Sequence, residues 1–220
     1  MPVITVSRQV GSGATEVVNR LRDELGLVAF DKRLMLRVAE EVGMIHQPIV
    51  DFTEEQYKAR GFFERLFSQN RSVAEVSTWA GGSTAGFERE TTSLDELQAV
   101  ALSRATIQAA YKRGNVIIVG RGSQVILEGK PDVLHLRLVA PFEARVQYLA
   151  ANQNMSAAQA RRTIQEQDRA TAEFLRQFYN ADVEDPTLYH MVLNVAALGL
   201  ERCVALVKAT VRAEAAEEAA

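Results

Sequence analysis

A chain of 220 residues with 47% hydrophobic content can bury a full core as one domain carrying a small insert. Its net charge of −3 supplies no basic field to recruit nucleic acid, and no apolar run approaches the roughly 18–20 residues that cross a bilayer. The first strand candidate begins at Val3, which leaves no stretch for a signal peptide, so a cytoplasmic location is expected.

The β-branched run from Val3 to Val6 predicts a strand over 3–7 that stops at the turn Gly11-Ser12-Gly13. An amphipathic helix is predicted over 15–25, with Val17, Val18, Leu21 and Leu25 on one side. Strand, glycine turn and helix N-terminus together offer backbone N–H groups and the positive end of a helix dipole to an anion. Set against the usual phosphate-loop pattern G-x-x-x-x-G-K-[ST], Arg8 stands at the first glycine and Ala14 at the lysine. Gly11, Gly13 and Thr15 remain. The loop is expected to hold phosphate, with its catalytic charge supplied from elsewhere or absent.

Further strands are predicted over 28–30, 116–119, 133–139 and 191–195. Helices are predicted over 33–42, 95–113, 142–151, 157–178 and 199–212, with Gly26, Gly43, Gly114 and Gly129 at several of the breaks. Strands alternating with helices imply an α/β fold built on a parallel sheet with right-handed crossovers. One domain over 1–212 is expected, with an insert at 45–95, a lid at 152–180 and a fraying helical tail at 213–220. Within the insert, residues 68–93 are rich in Ser, Thr and Gly and read as a mobile flap. Its Trp79 either stacks on a base, or anchors the flap or contacts a second subunit of a homodimer. Phe62, Phe63 and Phe67 fit one apolar helical face.

The buried-strand pattern Val116-Ile117-Ile118-Val119 ends by launching Arg121 between Gly120 and Gly122. Ligands of open α/β sheets bind at the carboxyl ends of strands, where a guanidinium can fork onto two phosphate oxygens. Ser156 and Gln159 form a capping box at the start of the next long helix. On that helix Arg162, Arg169 and Arg176 recur every seven residues along one face. The stripe is either a lid over a polyphosphate or a solvated face laced with Arg162–Glu166 and Arg169–Glu173 pairs. Cys203 reads as a small core hydrophobe, and His46, His135 and His190 show no metal-ligand spacing.

The pattern Ile-Thr-Val-Ser-Arg-Gln-x-Gly-Ser-Gly at 4–13, Leu-Gly-x-x-x-Phe-Asp at 25–31 and Val-Gly-Arg-Gly at 119–122 resembles the cytidylate-kinase-like family. That family belongs to the nucleoside monophosphate kinase group of P-loop proteins. The similarity continues through Leu138-Val-Ala-Pro-Phe-Glu-Ala-Arg145, Asp168-Arg169, Tyr189 and Asn194. It implies a three-layer P-loop kinase fold: a five-stranded parallel sheet flanked by helices, with a mobile acceptor-binding insert and a helical lid.

The resemblance also implies ATP as phosphoryl donor, Mg²⁺, and a nucleoside monophosphate such as CMP, or a similar small acceptor. The backbone of Gly11, Ser12, Gly13, Ala14 and Thr15 would cradle the donor phosphates, and the Thr15 hydroxyl would ligate Mg²⁺. Arg121 would grip the acceptor phosphate, while Arg162 and Arg169 would stabilise the moving phosphoryl group. Arg8 is either the replacement for the missing lysine or a surface arginine fixing the loop to a neighbouring acid. Asp31 would sit near the acceptor or the metal's water shell, or else cap the helix starting near Arg33. Arg145 either orients the lid, approaches the donor, or forms a salt bridge on the helix surface. Two departures stand out: Ala14 for lysine, and Gly122 where active cytidylate kinases carry an acid after Gly-Arg. They leave a second reading open, a catalytically weak or inactive nucleotide-binding sensor or interaction domain.

Overall fold

The computed structural model describes residues 2–30, 74–79, 89–94 and 96–217, with side chains for 2–30 and 100–213. Strand β1 (Val3–Arg8) leads through a loop into α1 (Ala14–Leu25), and β2 (Val28–Phe30) follows. A hairpin of β3 (Ala74–Trp79) and β4 (Arg89–Leu94) precedes α2 (Glu96–Arg113). Next come β5 (Val116–Val119), the single turn α3 (Ser123–Ile126) and β6 (Val133–Val139). The chain then forms α4 (Phe142–Gln153), α5 (Ala157–Tyr179), β7 (Met191–Asn194), α6 (Val195–Leu198) and α7 (Leu200–Glu217).

Five strands form one parallel sheet in the order β2-β5-β1-β6-β7, which puts β1 at its centre. The two-residue period of a strand sends Ile4 and Val6 of β1 to one face, with Leu134, Leu136 and Leu138 of β6. There they pack against Val17 and Leu21 of α1 and Cys203, Val204 and Val207 of α7. Val3, Val116, Ile118 and Val133 face the other side, against Ile107 and Ala110 of α2 and Leu127. Cys203 is a buried free thiol in the first layer, in the structural role expected of it.

The second face changes character along β1 and β6. Toward their carboxyl ends the paired positions become Thr5 with His135 and Ser7 with Arg137. Thr5 Oγ1 and His135 Nδ1 lie 2.7 Å apart, and Arg137 Nη1 donates to Ser7 Oγ at 3.0 Å. Arg137 is only 4% exposed, and its second nitrogen is taken by Glu184. Burying a guanidinium is tolerable where its donors are met, as they are here.

Helix boundaries follow local chemistry. Gly26 closes α1 in the left-handed conformation at φ 62°, its N–H returning to the Arg22 carbonyl. The expected capping box is present: Gln159 N donates to Ser156 Oγ, and Ser156 N donates to Gln159 Oε1. The last strand stops one residue short of the expected 195, because the Asn194 side chain caps α6 by accepting from Ala197 N at 3.1 Å. Residues 68–93, read as a flap, contain all of the antiparallel hairpin's strands but Leu94, with Val76 paired to Thr92 and Thr78 to Glu90. Valine and threonine there are strand formers as well as flap residues. The predicted helix at 33–42, the Phe62, Phe63 and Phe67 face, His46, Asp31 and the side chain of Trp79 lie outside the described residues.

Candidate active site

The helix that follows β1 lies against one face of the sheet and the turn that follows β5 against the other. Adjacent parallel strands whose connections leave to opposite faces open a crevice at their carboxyl ends. Two segments meet it: the loop from Gln9 to Gly13 after β1, and Gly120-Arg121-Gly122 after β5. The Gly120 N–H donates to the Val6 carbonyl at 2.9 Å, fastening the second turn beside the end of β1.

The first loop is held from outside. Gln9 N donates to the Leu138 carbonyl at 3.0 Å, and Gln9 Oε1 accepts from Ala140 N at 3.1 Å. Gly11 takes φ 77°, and a Cβ there would lie 2.8 Å from the Arg145 carbonyl, so only glycine fits beneath α4. Gly13 is also left-handed and precedes α1 with no side-chain capping hydrogen bond. The first-turn amides of α1 therefore carry no capping oxygen from a side chain, the condition in which a helix N-terminus accepts an anion. Ser12 is buried, and its hydroxyl has no hydrogen-bond partner among the described residues. Ala14 is buried against the core beneath the loop.

Arg8, the last residue of β1, reaches over the loop, and its Nη1 donates to Thr15 Oγ1 at 3.1 Å. It is open to solvent, yet surrounding atoms desolvate it enough to lower its pKa, against the opposing pull of Tyr148 and Glu16. Glu16 itself accepts from the Tyr148 hydroxyl. Burial, helped by that hydrogen bond, pushes the Tyr148 pKa up to about 12, so its hydroxyl stays protonated and donates. Beside these groups and the loop lies a cavity of about 290 Å³, lined also by Ala140, Ala144 and Val195.

Arg145 of α4 is 3% exposed. Its Nε donates to the Val10 carbonyl at 2.8 Å, and its Nη1 and Nη2 fork onto Asp168 of α5 at 2.8 and 2.7 Å. It is thus a buried tie between the phosphate loop and the long helix, rather than a surface salt bridge. The long helix itself shows Arg162, Arg169 and Arg176 exposed. Arg169 pairs with Glu173 at 2.8 Å along the helix surface.

Arg121 adopts φ 62° between two left-handed glycines, a strained conformation for a side-chain-bearing residue. Its guanidinium carbon lies 5.3 Å from the Phe30 ring centre. Gly122 has a packing reason to lack a side chain: a Cβ there would lie 2.7 Å from Cε2 of Tyr179, at the end of α5. The Tyr179 ring also stands 5.5 Å from the Arg104 guanidinium carbon.

Of the residues singled out in the sequence, the structure gathers Arg8, Gly11, Ser12, Gly13, Ala14 and Thr15 at one end of β1, with Arg121 on the neighbouring strand. Arg162 and Arg169 stand on the outer surface of α5, and Asp31 lies outside the described residues. Glu16, Tyr148, Arg137 and Tyr179 gave no sequence signal. Each owes its place to a partner more than 50 residues away.

A glycine loop between the central strand and an uncapped helix, at the switch point of a 2-5-1-6-7 parallel sheet, defines a P-loop protein of the kinase fold. The chain belongs to the cytidylate kinase-like family, whose model matches residues 3–197. It is similar to the cytidylate kinase of Methanopyrus kandleri, 24% identical over 218 residues, covering 95% of this chain and 92% of that protein. It is likewise similar to the cytidylate kinase of Thermococcus kodakarensis, 26% identical over 210 residues, covering 95% of this chain and 87% of the other. Among solved structures, an uncharacterized protein from Eubacterium ventriosum superposes with a TM-score of 0.63 at 12% identity, over 96% of this chain and 98% of that one. That likeness concerns the fold. No helix among the described residues is long and apolar enough to cross a membrane.

Proposed function

We propose that the protein is a nucleotide kinase of the cytidylate-kinase-like type, moving the γ-phosphoryl group of ATP to a nucleoside monophosphate such as CMP or to a similar small acceptor. The observation that carries this reading is the Arg8–Thr15 hydrogen bond. It sets a guanidinium over the loop that lacks the usual lysine. Family membership and the relatives' activity support the substrate class.

In this reading the amides of Gly11 to Thr15 hold the donor phosphates, and Arg8 turns from Thr15 onto their oxygens as charge develops during transfer. Arg121 binds the acceptor phosphate from the adjacent strand. Arg162 and Arg169 close over the phosphoryl group when α5 acts as a lid, which requires Arg169 to leave Glu173. Among the described residues no three carboxylate, imidazole or thiol groups cluster. The Thr15 hydroxyl would be the protein's ligand to a Mg²⁺ ion arriving with the nucleotide. When bound the ion would neutralise phosphate charge.

One experiment tests this directly. Purified protein is incubated with Mg²⁺-ATP and a panel of nucleoside monophosphates, and ADP is followed, with Arg121→Ala alongside. Acceptor-dependent ADP formation that the variant loses is expected. A second reading, a nucleotide-binding sensor without turnover, draws on the buried Ala14 and on Gly122. ATP binding with no turnover above the variant would favour that reading and remove the kinase one.

A further inference from the structure

The cavity beside the phosphate loop has an uneven chemistry. Part of its lining is the glycine loop, Gly11, Ser12 and Gly13, and the rest is mostly apolar, with Ala140, Ala144, Val195 and Leu200. Among its lining residues Glu16 is the only charged one. A carboxylate repels phosphate, so this cavity is not a second phosphate subsite. It suits an uncharged group that is tethered to a phosphate and offers hydrogen-bond donors to an oxygen acceptor.

Glu16 is also positioned for that task. It stands in the first turn of α1, three residues past Gly13, so its distance from the loop is fixed by the helix. The Tyr148 hydroxyl, reaching across from α4, donates to Oε1 and orients the carboxylate at the cavity edge. That hydroxyl remains a donor throughout the physiological pH range. A ligand donor at Oε2 would complete the set, and a charge-assisted hydrogen bond of this kind is stronger than a neutral one.

We propose that Glu16, held in place by Tyr148, is a specificity-determining residue that accepts a hydrogen bond from a hydroxyl or amino group of the donor nucleoside. This rests on the reading of the loop as the site of the donor phosphates. It adds that the enzyme recognises the nucleoside half of its donor through a carboxylate on α1.

The test compares dissociation constants of ATP, 2′-deoxy-ATP, 3′-deoxy-ATP, ITP and inorganic tripolyphosphate for the wild type, Glu16→Ala and Tyr148→Phe. In the wild type at least one analogue lacking a donor group binds about tenfold or more weakly than ATP, the size expected of one hydrogen bond to a charged group. Loss with the deoxy analogues assigns the contact to the sugar; loss with ITP assigns it to the base amine. Glu16→Ala abolishes the discrimination and leaves tripolyphosphate unchanged or tighter, because a nearby negative charge is gone. Tyr148→Phe reduces the same discrimination in part. Equal binding of every nucleotide by the wild type, or discrimination that survives Glu16→Ala, overturns the inference while leaving the loop as a phosphate site. A parallel fall in tripolyphosphate affinity would instead make Glu16 a structural support of the loop, and also overturns it. If neither tripolyphosphate nor any triphosphate binds, the phosphate-loop reading itself fails and this inference falls with it.

Discussion

Arg145 and Asp168 meet in a two-pronged ion pair, with both guanidinium nitrogens 2.7–2.8 Å from the two carboxylate oxygens. The same guanidinium holds the Val10 carbonyl through Nε. One buried side chain therefore couples the entry to the phosphate loop with the middle of the long arginine-bearing helix. Removing the buried partner strands the carboxylate, the loop carbonyl and a void together. Arg145→Ala is expected to lower stability by about 3–5 kcal/mol. Asp168→Asn, which keeps one acceptor at a partly exposed position, should cost about 1–2 kcal/mol. Urea unfolding of the two variants checks this order, and equal costs would show that the ion pair does not tie the elements together.

Gly11 and Gly26 both adopt left-handed backbone, but their surroundings differ. A methyl group at 11 meets the Arg145 carbonyl, whereas one at 26 meets nothing within 4 Å. Gly26→Ala should therefore cost only the backbone conformation, about 1 kcal/mol. Gly11→Ala adds a clash with backbone that cannot swing away, bringing the loss to about 2–4 kcal/mol. It should also weaken tripolyphosphate binding. Chemical denaturation and a phosphate-binding titration on both variants separate the two effects.

The Tyr179 ring fills the space that a side chain at Gly122 would need. Introducing an acid as Gly122→Asp should destabilise the protein by about 2–4 kcal/mol, from overpacking and from a left-handed backbone. Combining it with Tyr179→Ala should recover part of that loss. A double-mutant cycle in thermal unfolding reads the coupling, and strictly additive costs would mean that Tyr179 is not what excludes the acid.

His135 is buried on the sheet, and burial, with the neighbouring His190, lowers its pKa from 6.5 to about 4. A histidine with a depressed folded-state pKa is neutral in the fold, while the unfolded chain takes up the proton first. Stability should therefore fall as pH drops from about 6.5 toward 4, by up to about 1.4 kcal/mol per pH unit from this group. His135→Gln should show a shallower slope in that window when unfolding free energy is measured at several pH values. A slope unchanged by the substitution would place the proton uptake elsewhere.

Strands at 28–30 and 116–119 match their expected bounds because uninterrupted apolar runs admit little else between turn residues. The strand at 133–139 matches because Val133, Leu134, Leu136, Leu138 and Val139 carry the run past His135 and Arg137. The phosphate loop was legible for a similar reason: glycines at 11 and 13 have few uses between a strand and a helix. Other features depend on contacts the local sequence does not encode. Tyr148 reaches Glu16 across 132 residues, and Arg145 reaches Val10 across 135. The stripe of Arg162, Arg169 and Arg176 was visible as spacing, but spacing could not tell that Asp168 would turn inward to Arg145 while Arg169 paired with Glu173. The hairpin at 74–94 was hidden by Ser and Thr, which serve flaps and strands alike.

In the proposed reading Arg8 supplies the charge that a loop without its lysine lacks. Acceptor-dependent ADP formation from Mg²⁺-ATP and CMP, compared between the wild type and Arg8→Ala, tests it most directly. The account predicts turnover in the wild type and a rate about 10²–10³-fold lower in the variant, with ATP affinity changed far less. Equal rates in the two proteins, or no acceptor-dependent ADP from either, would contradict it.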